Sequence, residues 1–259
     1  MKIYRFRYRK RVLQGVLKEE FLFPIKGSVF GKFRIEASPI PIGEVRVLPP
    51  VLPTKIVGIG RNYKEHAREL GNPLPEEPLV FLKPPTAVIG HLDAIVRPAA
   101  SDRVDYEGEL AVVIRKKTRG LGDDAPVADH ILGYACFNDV TARDLQKKDV
   151  QFTRAKSFDT FAAVGPCVAT DLDPAALRLK TFLNGKLVQS GTTADLIFPV
   201  PFLVRYVSRI MTLNPGDIIA TGTPAGVGPM SAGDRVDVQI EGIGVLSNTF
   251  APAGDKEEP

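Results

Sequence analysis

The sequence predicts an α+β protein that is mostly β. Short apolar runs of strand length recur along the chain, whereas the apolar spacing of a helix is rare. Strands and helices do not alternate regularly, and this argues against a Rossmann or TIM architecture. The length agrees with this prediction, because 259 residues with 44% hydrophobic residues can bury one large core beside a small additional module.

The first predicted element is a small β module at residues 1–50. Aromatic residues alternate with arginines over residues 4–9, as expected of a strand with one buried and one solvated face. A turn and a second apolar run at residues 12–17 complete a predicted hairpin. The proline-rich residues 49–53 then predict a stiff linker to a main domain at residues 55–259.

Apolar runs also predict the strands of the main domain. They occupy residues 55–60, 79–82, 94–96, 110–114, 131–137, 178–183, 217–220 and 235–240. Asn184-Gly185, between two apolar stretches, is a strong signal for a two-residue hairpin turn. Helical spacing appears at residues 200–211, and a further helix is expected directly after Asp139.

Composition and charge argue against a nucleic-acid-binding protein, a protein with a CxxC site and a membrane protein. Lysines and arginines number 34 against 30 acids, a balance of +4 that suits small anionic substrates better than a nucleic acid. The basic run at residues 1–18 fits a solvated face, so we expect no nucleic-acid partner. Cys136 and Cys167 form no CxxC motif and are expected in the core. With no membrane-spanning apolar run and no secretory signal in the sequence, we expect a cytoplasmic protein without a membrane partner.

A pair of carboxylates at the start of one predicted strand is the strongest chemical signal. In the segment DYEGELAVVI, Glu107 and Glu109 project to one strand face, and apolar residues fill both faces after them. Two buried carboxylates repel each other and need protons, basic partners or a metal ion. Oxygen ligands favour Mg²⁺, Mn²⁺ or Ca²⁺ over zinc. The alternative is an exposed strand end with ordinary surface acids.

Two further side chains could complete an oxygen-rich site. Asp139 follows an apolar run and could be a third ligand, although a helix N-cap is its alternative role. Thr223 lies in the glycine-rich loop 221–229, which lacks the pattern of a phosphate-binding loop. We expect this loop to present the Thr223 hydroxyl and backbone N–H groups to a carboxylate, and a plain turn is the alternative.

Residues 60–71 predict a short helix that carries a candidate base. Asn62 and Glu65 resemble a capping box at its start. His66 and Glu69 are three residues apart on one helix face, so the carboxylate can orient the imidazole as a general base. The alternative is an ion pair on the surface of an amphipathic helix.

Taken together, seven ordered motifs resemble the fumarylacetoacetate hydrolase family over residues 55–250. They are GRNYKEHARELG, EPLVFLKPPTA, DYEGELAVVI, YACFNDVTARDLQ, RAKSFDTF, LNGKLVQSGTT and GDIIATGTPAGVG. The resemblance implies a mixed β-sandwich roll, a homodimer, and Mg²⁺ or Mn²⁺ held by Glu107, Glu109 and Asp139. It also implies that His66 and Glu69 are a catalytic pair on a lid helix.

The resemblance extends to the substrate site. It implies that Arg143, Gln146 and Thr223 bind substrate and that Lys156 takes part in catalysis. Lys83 also matches the family pattern, with a structural role as its alternative. The chain departs from the family at Ile59, where the animal enzymes place a further metal-binding aspartate, and this departure argues against fumarylacetoacetate as the substrate.

The predicted activity is that of a metal-dependent enzyme acting on small 2-oxo or 2-hydroxydienoate dicarboxylates through a metal-stabilised enolate. The resemblance favours isomerisation of 2-hydroxyhepta-2,4-diene-1,7-dioate in the catabolism of aromatic compounds. Acylpyruvate hydrolysis and oxaloacetate decarboxylation are the alternatives within the same chemistry. A catalytically silent dicarboxylate binder is the alternative of another class.

Overall fold

The computed structural model describes residues 1–69, 71 and 73–253. Strands dominate these residues, as the sequence predicts. The strands are β1 (Lys2–Tyr8), β2 (Arg11–Lys18), β3 (Phe21–Gly27), β4 (Phe33–Ile35), β5 (Ile40–Pro41), β6 (Arg46–Leu48), β7 (Ile56–Gly60), β8 (Leu79–Lys83), β9 (Val88–Ile89), β10 (Ala94–Val96), β11 (Val104–Tyr106), β12 (Gly108–Ile114), β13 (Ile131–Asp139), β14 (Thr141–Ala142), β15 (Ala162–Ala169), β16 (Arg178–Leu183), β17 (Lys186–Thr192), β18 (Ile218–Ala220), β19 (Gly228–Pro229), β20 (Arg235–Ile240) and β21 (Gly244–Ala251). The α-helices are α1 (Lys64–Glu69), α2 (Arg143–Lys148), α3 (Thr153–Lys156) and α4 (Val200–Ile210). Short 3-10 helices occupy Ile42–Glu44, Pro85–Ala87, Val127–His130 and Thr193–Asp195.

One large mixed sheet forms the frame of the molecule. Its strands follow the order β4-β3-β2-β1-β15-β13-β12-β18-β7-β8, with β5, β6 and β9 pairing at its sides. A second sheet has the order β10-β21-β20-β16-β17, and β11 lies between β14 and β19 in a third. The antiparallel pair β12 and β13 lies near the centre of the large sheet, so the residues at the end of this pair have a rigid support.

Both faces of the central strand β12 are buried. Leu110, Val112 and Ile114 pack into one apolar cluster that also contains residues of α4 and the second sheet. Ala111 and Val113 pack into another cluster on the opposite face. A strand covered on both sides reads as a continuous apolar run, which explains the sequence AVVI at this position.

The N-terminal residues form the predicted hairpin. Tyr4 and Phe6 are buried, and β1 pairs with β2 along its whole length. Lys2 and Ile3 also pair with β15, so this hairpin extends the large sheet. Val51, in the proline-rich stretch predicted as a linker, is buried in the second apolar cluster.

The predicted hairpin at Asn184-Gly185 is confirmed, and both residues have positive φ (51° and 79°) as a primed turn requires. The helix predicted at residues 200–211 is confirmed as α4. Cys136 and Cys167 are free and buried, as expected. No helix in the described part of the chain is long and apolar enough to cross a membrane. The homodimer stays a prediction, which sedimentation velocity would test.

Asp217 connects two parts of the large sheet and provides the first testable expectation. It is fully buried and accepts hydrogen bonds from the N–H groups of Thr54 and Asn214 at 2.9 and 2.7 Å. Lys55 adds an ion pair. Burial by itself raises the pKa of this carboxyl, but the hydrogen bonds hold it below the ordinary value of 3.8. Asp217→Asn should therefore lower the free energy of unfolding at pH 7 by about 2–3 kcal/mol.

The same pKa shift sets the pH dependence of this contribution. Since the carboxyl has a lower pKa in the folded protein than in the unfolded chain, its stabilisation is fully present above about pH 5 and is lost as pH falls through the folded pKa. Urea unfolding between pH 3 and 7 would show whether the free energies of unfolding of wild type and Asp217→Asn converge as the pH falls. Asp171→Asn, with a side chain that is 77% exposed, is the control. An equal deficit at pH 3 and pH 7 would contradict the expectation.

Candidate active site

Three buried carboxylates meet where β12 begins and β13 ends. Glu107 occupies the break between β11 and β12, Glu109 is the second residue of β12, and Asp139 is the last residue of β13. The Asp139 N–H donates to the Glu107 carbonyl at 2.8 Å, which holds the two strand ends together. One carboxylate oxygen from each of the three residues lies within 4.8 Å of the others. The pairing of β12 with β13 thus brings together acids that are thirty residues apart in the sequence.

Cationic side chains contact two of the three acids. The Lys156 ammonium donates to Glu107 at 2.7 Å and to Asp139 at 2.6 Å. Arg143 pairs with Glu107, and Lys83 pairs with Asp139. Among the described residues no cationic side chain pairs with Glu109, whose Oε2 instead accepts a hydrogen bond from the Gly222 N–H at 2.9 Å. Within the described residues, Glu107 and Asp139 are therefore in direct contact with cations, whereas Glu109 is not.

This asymmetry is reflected in the pKa values of the two glutamates. Burial raises the pKa of Glu107, but Lys156 and Arg143 outweigh it and hold this pKa well below the ordinary range. For Glu109, burial and the charges of Asp139 and Glu107 act in the same direction and raise the pKa well above its ordinary value. Burial also lowers the pKa of Lys83 to about 8, against the attraction of Asp139. The surroundings of Glu109 thus disfavour its charged form, whereas those of Glu107 favour it.

The three carboxylates fit a divalent cation. They supply only oxygen ligands, which Mg²⁺ and Mn²⁺ prefer, and their oxygens are close enough to share one ion. An ion bound there would supply the positive charge that Glu109 lacks. Ile59 lines the same cavity with an apolar side chain and offers no further ligand, as the sequence predicts.

The predicted His66–Glu69 pair forms beside these carboxylates. His66 is buried on α1 and lines the cavity, and its Nδ1 lies 3.1 Å from Glu69 Oε2. The Gly226 N–H donates to the other oxygen of Glu69 at 2.9 Å. A carboxylate only accepts hydrogen bonds, so Nδ1 carries the proton and Nε2 is the ring nitrogen with a free lone pair.

An open cavity of about 290 Å³ connects these groups. Arg143 donates to Gln146 Oε1 at 2.6 Å, so the Gln146 amide N–H groups remain available to a ligand. Thr223 also lines the cavity, but its hydroxyl donates to the Gly108 carbonyl at 2.8 Å and accepts from Gln189. The structure brings all nine predicted site residues to one place with Glu69 behind His66; they are Glu107, Glu109, Asp139, His66, Glu69, Lys156, Arg143, Gln146 and Thr223.

Two local predictions at this site are wrong. Asp139 is not the N-cap of the following helix, because β14 intervenes and α2 begins at Arg143 after Ala142. Asn62 does not form a capping box, because its amide bonds the Thr221 carbonyl at 2.8 Å and the backbone of Phe198. In both cases a tertiary contact takes the polar side chain that a local motif would have used.

Asp105 is a residue of this site that the sequence motifs did not indicate. It is fully buried, and it pairs with Arg143 Nε at 2.9 Å and with the outer Arg103. Asp105 thereby orients the guanidinium that contacts Glu107. Its position two residues before Glu107, in the alternation of a strand, was the available signal.

Gly222 gives a test of how Glu109 is held. Its φ of +101° suits glycine, and a Cβ at this position would lie 2.8 Å from the Cβ of Asn62. Gly222→Ala should displace the N–H that bonds Glu109, lower the free energy of unfolding by at least about 2 kcal/mol, and weaken Mn²⁺ binding about 10- to 100-fold. Thermal unfolding and Mn²⁺ titration would measure both effects.

Gly233→Ala is the matched control, since Gly233 also has a positive φ (+91°) but no heavy atom lies within 4 Å of a Cβ placed there. We expect this control to lose only about 1 kcal/mol and to bind Mn²⁺ normally. Equal Mn²⁺ affinity in the two variants would contradict the role assigned to the Gly222 N–H.

The chain matches known proteins along nearly its whole length. Residues 55–251 match a family model described as fumarylacetoacetate (FAA) hydrolase C-terminal, and residues 1–50 match one described as Rv2993c-like, N-terminal. A protein of Archaeoglobus fulgidus is 55% identical over 235 residues, which is 88% of this chain and 94% of that protein. The oxaloacetate tautomerase YisK of Bacillus subtilis is 45% identical over 223 residues, 80% of this chain and 73% of that protein.

Solved structures show the same fold. The crystal structure of 2-hydroxyhepta-2,4-diene-1,7-dioate isomerase from Mycobacterium marinum has a TM-score of 0.91 and 41% identity, and the match covers 98% of this chain and 100% of that one. Maleylpyruvate hydrolase from Sphingobium sp. SYK-6, in complex with manganese(II) and pyruvate, has a TM-score of 0.80 and 31% identity, with 98% and 100% covered. The likeness spans both the N-terminal hairpin and the main domain.

Proposed function

This chain belongs to the fumarylacetoacetate hydrolase family, and from this premise we propose that it is a divalent-metal-dependent isomerase of small 2-oxo or 2-hydroxydienoate dicarboxylates. The first candidate substrate is 2-hydroxyhepta-2,4-diene-1,7-dioate. The observation that carries the proposal is the buried carboxylate triad with the His66–Glu69 pair in one cavity. The names of two relatives support it, since the Mycobacterium marinum protein is an isomerase of this dienoate and the Bacillus subtilis protein is a tautomerase.

Glu107, Glu109 and Asp139 would hold the ion. A bound Mg²⁺ or Mn²⁺ supplies Lewis-acid polarisation of the carboxylate and keto oxygens of a 2-oxo acid. Burial of all three carboxylates keeps bulk water from competing for these ligands.

His66 is the residue that moves the proton in this proposal. Glu69 fixes the Nδ1–H tautomer, so Nε2 can accept the proton of the substrate's 2-hydroxyl group and return it to C5, which turns the dienol into the conjugated 2-oxo-3-enoate. Gly226 holds Glu69 from behind and thereby limits rotation of the imidazole. Because His66 lines the cavity, a single base can serve both the oxygen that loses the proton and the carbon that receives it.

Lys156 and Arg143 bind the substrate in the proposal. Two of the three Lys156 ammonium hydrogens are donated to Glu107 and Asp139, which leaves one for a substrate oxygen. Arg143 uses Nε, Nη1 and Nη2 in contacts with Asp105, Gln146 and Glu107. These contacts fix its plane, and together with Gln146 it presents polar groups to an anionic substrate.

Hydrolysis of an acylpyruvate is the second candidate. The same His66 Nε2 could take a proton from water instead of carbon. The manganese complex of maleylpyruvate hydrolase with pyruvate, at 31% identity, favours keeping this reaction in the test. Decarboxylation of oxaloacetate is a further candidate reaction and is tested in the same experiment.

The experiment is turnover by metal-stripped protein with and without Mg²⁺ or Mn²⁺. Acetylpyruvate, oxaloacetate and 2-hydroxyhepta-2,4-diene-1,7-dioate are compared by UV absorbance and NMR. We expect metal-dependent turnover of at least one compound, fastest with the dienoate. If pyruvate is released from acetylpyruvate faster than the dienoate is isomerised, the proposed activity changes from isomerase to hydrolase.

A catalytically silent dicarboxylate binder predicts a different result. Such a protein would bind Mn²⁺ and a 2-oxo acid but turn over none of the three compounds, and it would not exchange the C3 hydrogens of a 2-oxo acid in D₂O. That combination would refute the enzymatic proposal. Exchange at C3 without net conversion would instead support proton transfer by this site and indicate that the substrate is a compound not yet tested.

A further inference from the structure

Two cations line the cavity without an acidic partner. Arg61, directly after β7, and Lys147, in the last turn of α2, both belong to the cavity wall. Over residues 1–69, 71 and 73–253, neither side chain forms a salt bridge or a side-chain hydrogen bond. Both residues are at least partly exposed, so they lie toward the mouth of the cavity.

The inner cations of the cavity are already paired. Lys156 and Lys83 contact the acid cluster, and Arg143 bridges Asp105 and Glu107. Their charge offsets the charge of buried carboxylates, which leaves little for a second anionic group of a ligand. Arg61 and Lys147 are different, since no acidic group in the described part of the chain offsets their charge.

The backbone of Arg61 is held in an unfavourable conformation. Its φ is +58°, in the left-handed region that an arginine seldom adopts. The next residue, Asn62, is fully buried and anchors the turn on the carbonyls of Thr221 and Phe198. Strain at a cavity-lining residue that its surroundings enforce is a common feature of ligand sites.

Three large apolar side chains line the cavity together with these cations. Ile59, Phe81 and Phe152 line the same cavity, whose volume of about 290 Å³ is at the small end of ligand sites. A ligand that binds here has one polar end at the carboxylate triad, an apolar middle, and a second polar end near Arg61 and Lys147. This arrangement matches a short linear dicarboxylate.

We infer that Arg61 and Lys147 bind the distal carboxylate of the substrate and select dicarboxylates over monocarboxylates of equal length. The inference rests on the proposed function, because it concerns the same cavity. It adds the residues that determine which 2-oxo acids bind. Their role is in specificity and does not include proton transfer.

The test is equilibrium binding, which needs no turnover. Isothermal titration calorimetry on Mn²⁺-loaded protein would compare 2-oxoadipate with 2-oxohexanoate, which differ only in the terminal carboxylate. We expect 2-oxoadipate to bind about 10- to 100-fold more tightly to the wild type. Equal affinity for the two compounds would overturn the inference.

Variants assign the difference to the two residues. Arg61→Gly suits the left-handed backbone and so should not impair folding. In the double variant Arg61→Gly, Lys147→Met the preference should fall below about 3-fold, whereas Arg61→Lys should retain most of it. Lys148→Met and Lys64→Met are matched controls, since both remove one exposed positive charge beside these residues but outside the cavity lining. A preference that survives in the double variant would overturn the assignment.

A third ligand separates a specific role from a structural one. Oxalate has no distal carboxylate beyond its chelating pair, so the double variant should bind it as the wild type does. A large loss of oxalate binding would show that the substitutions disturb the whole site and would overturn the inference. If no compound is turned over but 2-oxoadipate is still preferred, the specificity stands while the proposed reaction fails.

Discussion

Glu109→Gln is expected to lower metal-dependent turnover by about 1000-fold or more and to weaken Mn²⁺ binding in parallel. Glu109 is the one acid of the triad without a cationic partner among the described residues. Its negative charge is therefore the one available to balance the charge of a bound ion. Glutamine has nearly the same shape but offers a neutral oxygen, and Lewis-acid assistance contributes several kcal/mol to such reactions. Titration of Mn²⁺ followed by electron paramagnetic resonance, with kinetics on the best substrate, would measure both effects.

The stability of the metal-free protein provides a second readout for the same position. Burial and the neighbouring acids disfavour the charged form of Glu109, so its replacement by neutral glutamine should leave the free energy of unfolding unchanged or increase it. Glu107→Gln is the matched comparison, because it removes the carboxylate that Lys156 and Arg143 share, leaves each with one acidic partner, and should cost about 3 kcal/mol. Equal destabilisation of the two metal-free variants would contradict the charge distribution described for the triad.

Local sequence patterns predicted most of the strands because their signals are short-range. The runs at residues 94–96, 178–183 and 235–240 coincide with β10, β16 and β20. By contrast, β15 carries Gly165-Pro166 in its middle, and both residue types argue against a central strand. The pairing of β15 with β13 is irregular around Cys136, and this irregularity accommodates the dipeptide. The sequence of β15 alone does not show it, because the irregularity depends on the partner strand.

The carboxylate triad was predictable for a related reason. Glu107 and Glu109 precede an apolar run, which favours their burial over the alternative of an exposed strand end, and the family resemblance added Asp139 as the third ligand. Their partners were less accessible to sequence reasoning. Asp105 and Gly222 act on Arg143 and Glu109 across strands that are far apart in the chain, and only the sheet pairing shows the contact.

The geometry of the break at Glu107 also lies beyond a sequence pattern. The alternation rule places Glu107 and Glu109 on one continuous strand, yet the chain leaves β11 and enters β12 at Glu107. The Asn138 side chain accepts a hydrogen bond from the Glu107 N–H at 2.9 Å at this point. The carboxylates still converge, because a backbone contact with Asp139 holds the break against β13.

His66→Gln is expected to lower turnover about 100- to 10,000-fold without a change in Mn²⁺ affinity. His66 does not contact the three carboxylates through a described hydrogen bond, and its known partner is Glu69. Glutamine fills a similar volume but cannot take up a proton near neutral pH. The direct measurement is hydrogen–deuterium exchange at C3 of a 2-oxo acid, followed by NMR in D₂O, because it reports proton abstraction even when net conversion is slow.

Comparison of two reactions then identifies what His66 does. If His66→Gln loses C3 exchange and isomerisation together, the imidazole moves the substrate proton; if it loses only hydrolysis, the imidazole activates water. Glu69→Gln should show the same pattern with a smaller loss of about 10- to 100-fold, since it misorients the ring but leaves it in place. His130→Gln is the control, because His130 bonds Thr118 and does not line the cavity. Full activity in His66→Gln would exclude His66 as the base and leave Lys156 as the remaining candidate for proton transfer in the cavity.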